Sequence, residues 1–138
     1  MHFTKLTPNL VVQEDAASVR FYETVLGFKK TISVPDEAPH VFAAVTNGSV
    51  ALFFNEQKAV SEENPSLAGI DPPSQLGGTL TLYLETTDLD VVFAAVQKAN
   101  CPIVMPPKTQ FYACANLLFE TPTAGLSHQR ATRGLRNP

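Results

Sequence analysis

The order of apolar and polar positions along the chain predicts its elements before any single motif is read. Residues 3–12 run F-T-K-L-T-P-N-L-V-V, an alternation that suits a half-buried strand, and Pro8 restricts that strand to an edge or a bulge because it has no N–H for a ladder. Asp15 follows as a candidate N-cap for the row A-A-S-V-R-F-Y-E-T-V-L-G. In that row Val19, Tyr22, Val25 and Leu26 recur at helical spacing, and Gly27 supplies the stop. F-K-K-T-I-S-V then reads as a strand and residues 35–39 as a loop. H-V-F-A-A-V-T-N-G-S-V-A-L-F-F reads as a hairpin turning at Asn47-Gly48, where both residues tolerate positive φ. The first half is therefore β-α-β-β-β.

Residues 56–78 hold Pro65, Pro72 and Pro73 with little periodicity and are expected to form a long connection. The pattern then starts again. T-L-T-L-Y-L-E-T alternates as a strand, and Thr87 with Asp90 resembles a capping box. Leu89, Val92, Phe93 and Val96 make a helical stripe, Asn100 suits a left-handed C-cap, and C-P-I-V-M is a further strand. A displacement of 73 residues carries Asp15 to Asp88 and Gly27 to Asn100, so the chain reads as a duplication of one unit. The expected boundaries are a first module at 3–56, a linker at 57–78, a second module at 79–129 and a tail at 130–138.

Composition narrows the function classes. A chain of 138 residues is one ordinary domain, with enough length to bury roughly two-thirds of its unfolded surface. A net charge of −3 gives no broad basic footprint, which disfavours nucleic acid and acidic membrane as partners. No run approaches a membrane span, and the first residues lead into a strand pattern instead of a signal-peptide core, so a cytoplasmic location is expected. Cys101 and Cys114 have neither zinc-knuckle spacing nor the density of a disulfide scaffold and read as two reduced thiols. No nucleophile with a partnered base can be assembled from Ser18, Ser49 or the cysteines, so no catalytic residue is assigned.

At this point the residues carry a family resemblance. The segment 7–28, and within it F-Y-E-T-V-L-G-F at 21–28, resembles the opening of the vicinal oxygen chelate superfamily, which includes glyoxalase I, extradiol dioxygenases and bleomycin resistance proteins. Y-L-E-T-T-D-L-D at 83–90 is similar to the start of that family's second module, and I-V-M-P-P at 103–107 with Phe111-Tyr112 to its later strands. The resemblance implies an α+β fold in which two tandem β-α-β-β-β modules form a curved mixed-sheet cup, the glyoxalase/bleomycin resistance fold, usually as a homodimer.

Metal-using relatives take one ligand from the first and one from the last strand of each module, typically His or Gln and Glu. Carried over by motif, these positions fall on Thr7, Ala51 and Thr81, none of which is a usual ligand for a divalent ion. A slip of one residue does not rescue them, because the neighbour points to the other face. His2 lies at the terminus, His40 before the hairpin and His128 in the tail; His40 reads as a surface or loop histidine or a substrate contact.

The tail departs from the family. Arg130, Arg133 and Arg136 join Arg20 as the arginines of the chain, and no acidic residue follows Glu120. Where relatives continue to a D-P-D-G motif, residues 113–129 read A-C-A-N-L-L-F-E-T-P-T-A-G-L-S-H-Q, of which Pro122 alone fits. A single-nucleotide deletion near the codon for Ala113 would account for this, since a shifted reading can encode R-M-R-E-F-A-V-R-D-P-D-G-W-A-V-T-S-A; the other reading is a divergent but genuine tail. That frame admits Thr, Ala, Ser or Pro at the fourth ligand position, so all four usual ligands are expected to be missing in either frame.

Alternation assigns Thr7, Asn9, Val11, Ala51, Phe53, Thr81, Tyr83 and Glu85 to the cup, and Leu10, Val12, Leu52, Leu82 and Leu84 to the core. Two aromatic walls, an amide, hydroxyls and a carboxylate suit a small, partly apolar ligand. The expected function is binding of such a molecule without a metal or other cofactor, through Thr7, Asn9, Phe53, Thr81, Tyr83 and Glu85. Glu85 is also a candidate general base. The alternative is a metal-dependent lyase, isomerase or dioxygenase of the same superfamily that recruits its ion through non-standard ligands such as His40 and Glu85. A third reading is an inactive product whose shifted last strand leaves the second module incomplete.

Overall fold

In a computed structural model of the chain, residues 1–67, 81–109, 115–120 and 128–133 are described. The first module consists of β1 (Asn9–Val12), α1 (Asp15–Thr24), β2 (Lys29–Val34), β3 (Phe42–Asn47) and β4 (Val50–Glu56). The second consists of β5 (Thr81–Glu85), α3 (Leu89–Lys98), β6 (Ile103–Thr109), β7 (Ala115–Glu120) and β8 (His128–Arg133). Between them lie α2 (Gln57–Glu63) and a 3-10 turn at Pro65–Leu67. The two mixed sheets have the orders β1-β4-β3-β2 and β5-β8-β7-β6, each with one parallel pair at its start. These orders are identical under the duplication, so the repeat read from the sequence is a repeat of topology. The fold is α+β, as expected.

Side-chain alternation sorts the first sheet into two faces. Leu10, Val12, Ala43, Val45, Leu52 and Phe54 are buried against α1, which contributes Val19, Phe21 and Tyr22. Tyr22 is fully buried and meets three rings, edge-on to Phe21 and Phe28 and tilted to Phe54, with centroids 5.2 to 5.6 Å apart. Such pairs add about 0.5–1.5 kcal/mol each beyond area burial. The F-Y-x-x-V-L-G-F signature is thus a packing motif, placing rings at both ends of the helix's last turns. In the second module Leu82, Leu89 and Val96 are buried in the same apolar cluster, and Leu84 is half-buried.

Helix ends follow the glycine and asparagine signals. Gly27 has φ +68°, and the Phe28 N–H donates to the Tyr22 carbonyl at 2.9 Å. Asn100, at φ 55°, ends α3 with the Cys101 N–H on the Val96 carbonyl at 3.0 Å, a left-handed cap.

Several expectations are corrected. β1 begins only after Pro8, whose carbonyl accepts the Phe53 N–H at 2.9 Å, so residues 3–8 do not extend the strand; it is an edge strand, as the proline requires. Asp15 is the first helical residue and not the cap; Glu14 holds the cap position, without a side-chain bond. The Thr87/Asp90 box does not form: Asp88 is the N-cap, Thr87 Oγ1 donates to Asp88 Oδ2 at 3.0 Å, and the Asp88 N–H donates to Thr86 Oγ1 at 3.1 Å. The polar side chains here satisfy one another locally instead of the helix's first N–H groups. The hairpin turns at Gly48-Ser49, with Asn47 paired to Val50 and Gly48 alone at positive φ. The expected linker starts with a helix, α2, which carries no buried residue and therefore no apolar period for the sequence to show.

The second sheet contains both β7 and β8, so the described backbone carries a full set of strands for the second module. β8 lies between β5 and β7, in the place that β4 takes in the first module. A ladder is made by backbone groups, and it tolerates side chains unlike the family's. The proposed break at Ala113, together with Cys114, Phe111-Tyr112, Pro122 and Arg136, lies outside the described residues.

Candidate functional site

The face of the first sheet turned away from α1 carries the predicted residues of that module. Ladder partners share a face, so the register Asn9↔Phe53, Val11↔Asn55, Phe53↔Ala44 and Asn55↔Phe42 assembles Asn9, Val11, Phe42, Phe53 and Asn55 on one surface. Phe53 is half-buried and meets Phe42 edge to face, centroids 5.4 Å apart. Asn55 Nδ2 donates to Asn9 Oδ1, which fixes the Asn9 amide and leaves its own Nδ2 facing outward as a donor. Sequence reasoning missed Phe42 and Asn55, although the alternation that selected Phe53 also selects the residue two positions on. Ala51 and Thr7 are half-buried, Thr7 in the segment before β1.

On the second sheet Thr81, Tyr83 and Glu85 alternate outward along β5 and are exposed, Tyr83 by 49%. His128 stands opposite Thr81 in β8, and Glu120 of β7 stands opposite His128. The tail strand's register could not be counted from sequence without the family's turn motif. By register His128 is the residue opposite Thr81, the first-strand position of this module; Thr7, Ala51 and Thr81 are not usual ligands. Among the described residues no group of three or more His, Cys, Asp or Glu is placed to hold a metal ion.

Of the alternative pair, His40 lies in the loop before β3 and Glu85 at the end of β5. His40 is 6% exposed in the loop before β3, contrary to the surface reading, and its Nδ1 donates to the Pro35 carbonyl at 2.9 Å. The imidazole is spent on the loop between β2 and β3, with Nε2 left.

Two features lie off the predicted face. Asp15 is 1% exposed with both carboxylate oxygens lacking a hydrogen-bond partner. Loss of water, then the negative charge of Glu56, pushes its pKa up to about 7. Burial likewise pushes the Cys101 thiol up, so it stays protonated and is a poor nucleophile. The second feature is a cavity of about 190 Å³ where the two modules meet, between the end of α1 with the β3–β4 hairpin and the end of β5 with the start of α3. Of the predicted site residues only Glu85 lines it.

Among the described residues no helix is long and apolar enough to cross a membrane. Known proteins share this arrangement. TioX from Micromonospora sp. ML1 superposes with a TM-score of 0.74 at 16% identity, over 96% of this chain and 100% of that one. A glyoxalase/bleomycin resistance protein/dioxygenase from Nocardioides gives 0.76 at 20%, over 100% and 87%. The bleomycin resistance determinant encoded on transposon Tn5 gives 0.67 at 18%, over 96% and 98%. At these identities the likeness is one of fold. No curated protein matches the chain. The sequence profile of the Glyoxalase/Bleomycin resistance protein/Dioxygenase superfamily, however, matches residues 2–126, and the chain belongs to that superfamily.

Proposed function

We propose that the protein binds a small, partly apolar organic molecule on the outer sheet face, without a metal, in the manner of bleomycin resistance proteins. The observation that carries this reading is the pairing of an aromatic wall, Phe42 against Phe53, with an oriented amide, Asn9 held by Asn55, on a single surface. Phe53 and Tyr83 would stack on the ligand, and Asn9 and Thr81 would hydrogen-bond to it; Thr7 and Glu85 complete the set. At three of the strand positions that would hold a metal stand Thr7 and Thr81, whose hydroxyls are weak ligands for a divalent ion, and Ala51, which has no ligating atom. A homodimer accords with this reading, because Ile32 and Val34, 53% and 51% exposed on edge strand β2, form an apolar border that a second copy would cover.

A library of small aromatic amides and acids, screened by amide chemical shifts, is expected to perturb Asn9, Phe53 and Tyr83. Tyr83→Ala and Phe53→Ala should each weaken the best binder about tenfold without unfolding the protein, the loss of one aromatic contact. Unchanged affinity in both variants removes the site. The second reading, a metal-dependent lyase, isomerase or dioxygenase, is favoured by one observation, the His128–Glu120 neighbours across the ladder from Thr81. It requires one equivalent of zinc, nickel, manganese or iron in protein purified without chelator, and the metal-free reading requires much less.

A further inference from the structure

The cavity between the modules has a composition of its own. Its walls are apolar where Leu26, Phe28, Val50, Leu84 and Val92 line it, and its mouth opens to solvent at Val50 and Glu85, both exposed. An apolar cavity of about 150 Å³ holds a benzene ring, so 190 Å³ admits one six-membered ring with a single polar substituent. The polar side chains present acceptors. Glu85 brings a carboxylate. Asn47 already uses Nδ2 on the Leu26 and Gly27 carbonyls at 3.4 and 3.2 Å, which leaves its Oδ1. Thr86 Oγ1 takes the Asp88 N–H. Leu26 also follows the C-terminal end of α1, the negative end of that helix's dipole, and no basic residue occupies its last turn. No lysine or arginine lines the cavity among the described residues.

We propose that this junction cavity is a binding site for a small cyclic or branched alkylammonium ion, with the hydrocarbon between Phe28, Val50 and Val92 and the ammonium group at Glu85. The site shares Glu85 with the sheet-face set but none of its other residues, and it stands whether or not that face binds a ligand. Occupancy bridges the modules, since Phe28, Asn47 and Val50 belong to the first and Leu84, Glu85 and Val92 to the second.

Titration of the ¹⁵N-labelled full chain with cyclohexylammonium, cyclohexanol and cyclohexanecarboxylate tests the proposal. Saturable shifts are expected at Val50, Thr86 and Val92, with the ammonium bound about tenfold or more tightly than the carboxylate. Glu85→Gln should reduce that preference to about twofold or less, because the carboxylate is its main source. Val50→Phe, at the solvent-facing mouth where a larger ring is tolerated by the fold, should abolish binding of all three probes. Equal affinity for ammonium and carboxylate, an unchanged preference in Glu85→Gln, no shift with any probe, or shifts confined to Asn9, Phe53 and Tyr83 would each overturn it. The last pattern would instead support the sheet-face site, so failures of the two readings are distinguishable.

Discussion

At the scale of single residues, the feature of greatest consequence is Asp15. A carboxylate in the first turn of a helix gains from the dipole, yet here 1% exposure removes the water and no donor replaces it. Its pKa is about 7 when folded against an ordinary 3.8, so the native state holds a proton that the unfolded chain releases. The stabilisation from that proton is complete below pH 4 and is lost as pH rises toward 7. Between pH 5 and pH 8 unfolding free energy should fall by about 2–3 kcal/mol on this account. Urea denaturation at the two pH values should show this decline in the native sequence and a much flatter response in Asp15→Asn. An equal decline in the variant would place the pH sensitivity in another group. The sequence made Asp15 legible as a residue that starts a helix. Its burial against Glu56 arises from the packing of α1 on β4, which no local pattern encodes.

At the scale of elements, the hairpin between β3 and β4 shows why its existence was legible and its turn was not. Asn-Gly between apolar runs signals a reversal, but the turn sits one residue later because the Asn47 side chain reaches the carbonyls that close α1. That contact spans some twenty residues of chain and ties the hairpin to the helix end. Asn47→Ala should therefore cost about 1–2 kcal/mol, and Asn47→Asp more, since a carboxylate facing two carbonyl oxygens offers repulsion in place of a bond. Thermal melts of the two variants check the order; an Asp variant more stable than the Ala variant would show that the amide is not the tie. The same logic separates the other elements. α1 and α3 have buried stripes and were readable, whereas α2 buries nothing and was not. On the candidate face, alternation alone assigned Asn9, Phe53 and Tyr83, while the positions of Phe42 and His128 depend on ladder register between strands distant in sequence.

At the scale of the whole molecule, the Arg-rich ending is where sequence and fold part most sharply. By composition residues 113–138 look foreign to what precedes them, and the family's turn motif is missing. In the second sheet, however, β8 and β7 are the two central strands: β5 pairs with β8, β6 pairs with β7, and β5 and β6 form the edges. Cutting the chain after Tyr112 would strip β5 and β6 of their ladders and open the face on which Leu82 is buried against α3's cluster. An isolated strand in water is not stable, so the loss should be cooperative across the module and not a local fraying. Hydrogen exchange distinguishes these outcomes. In the full chain the amides of β5 should be protected to the same order as those of β4; in the truncated chain β5 should exchange freely while Val45, Leu52 and Phe54 keep their protection. If β5 is equally protected in both, the strands after Tyr112 do not hold the sheet together. If it exchanges freely in both, the ending as encoded fails to complete the module, and restoring the shifted reading frame should then recover protection.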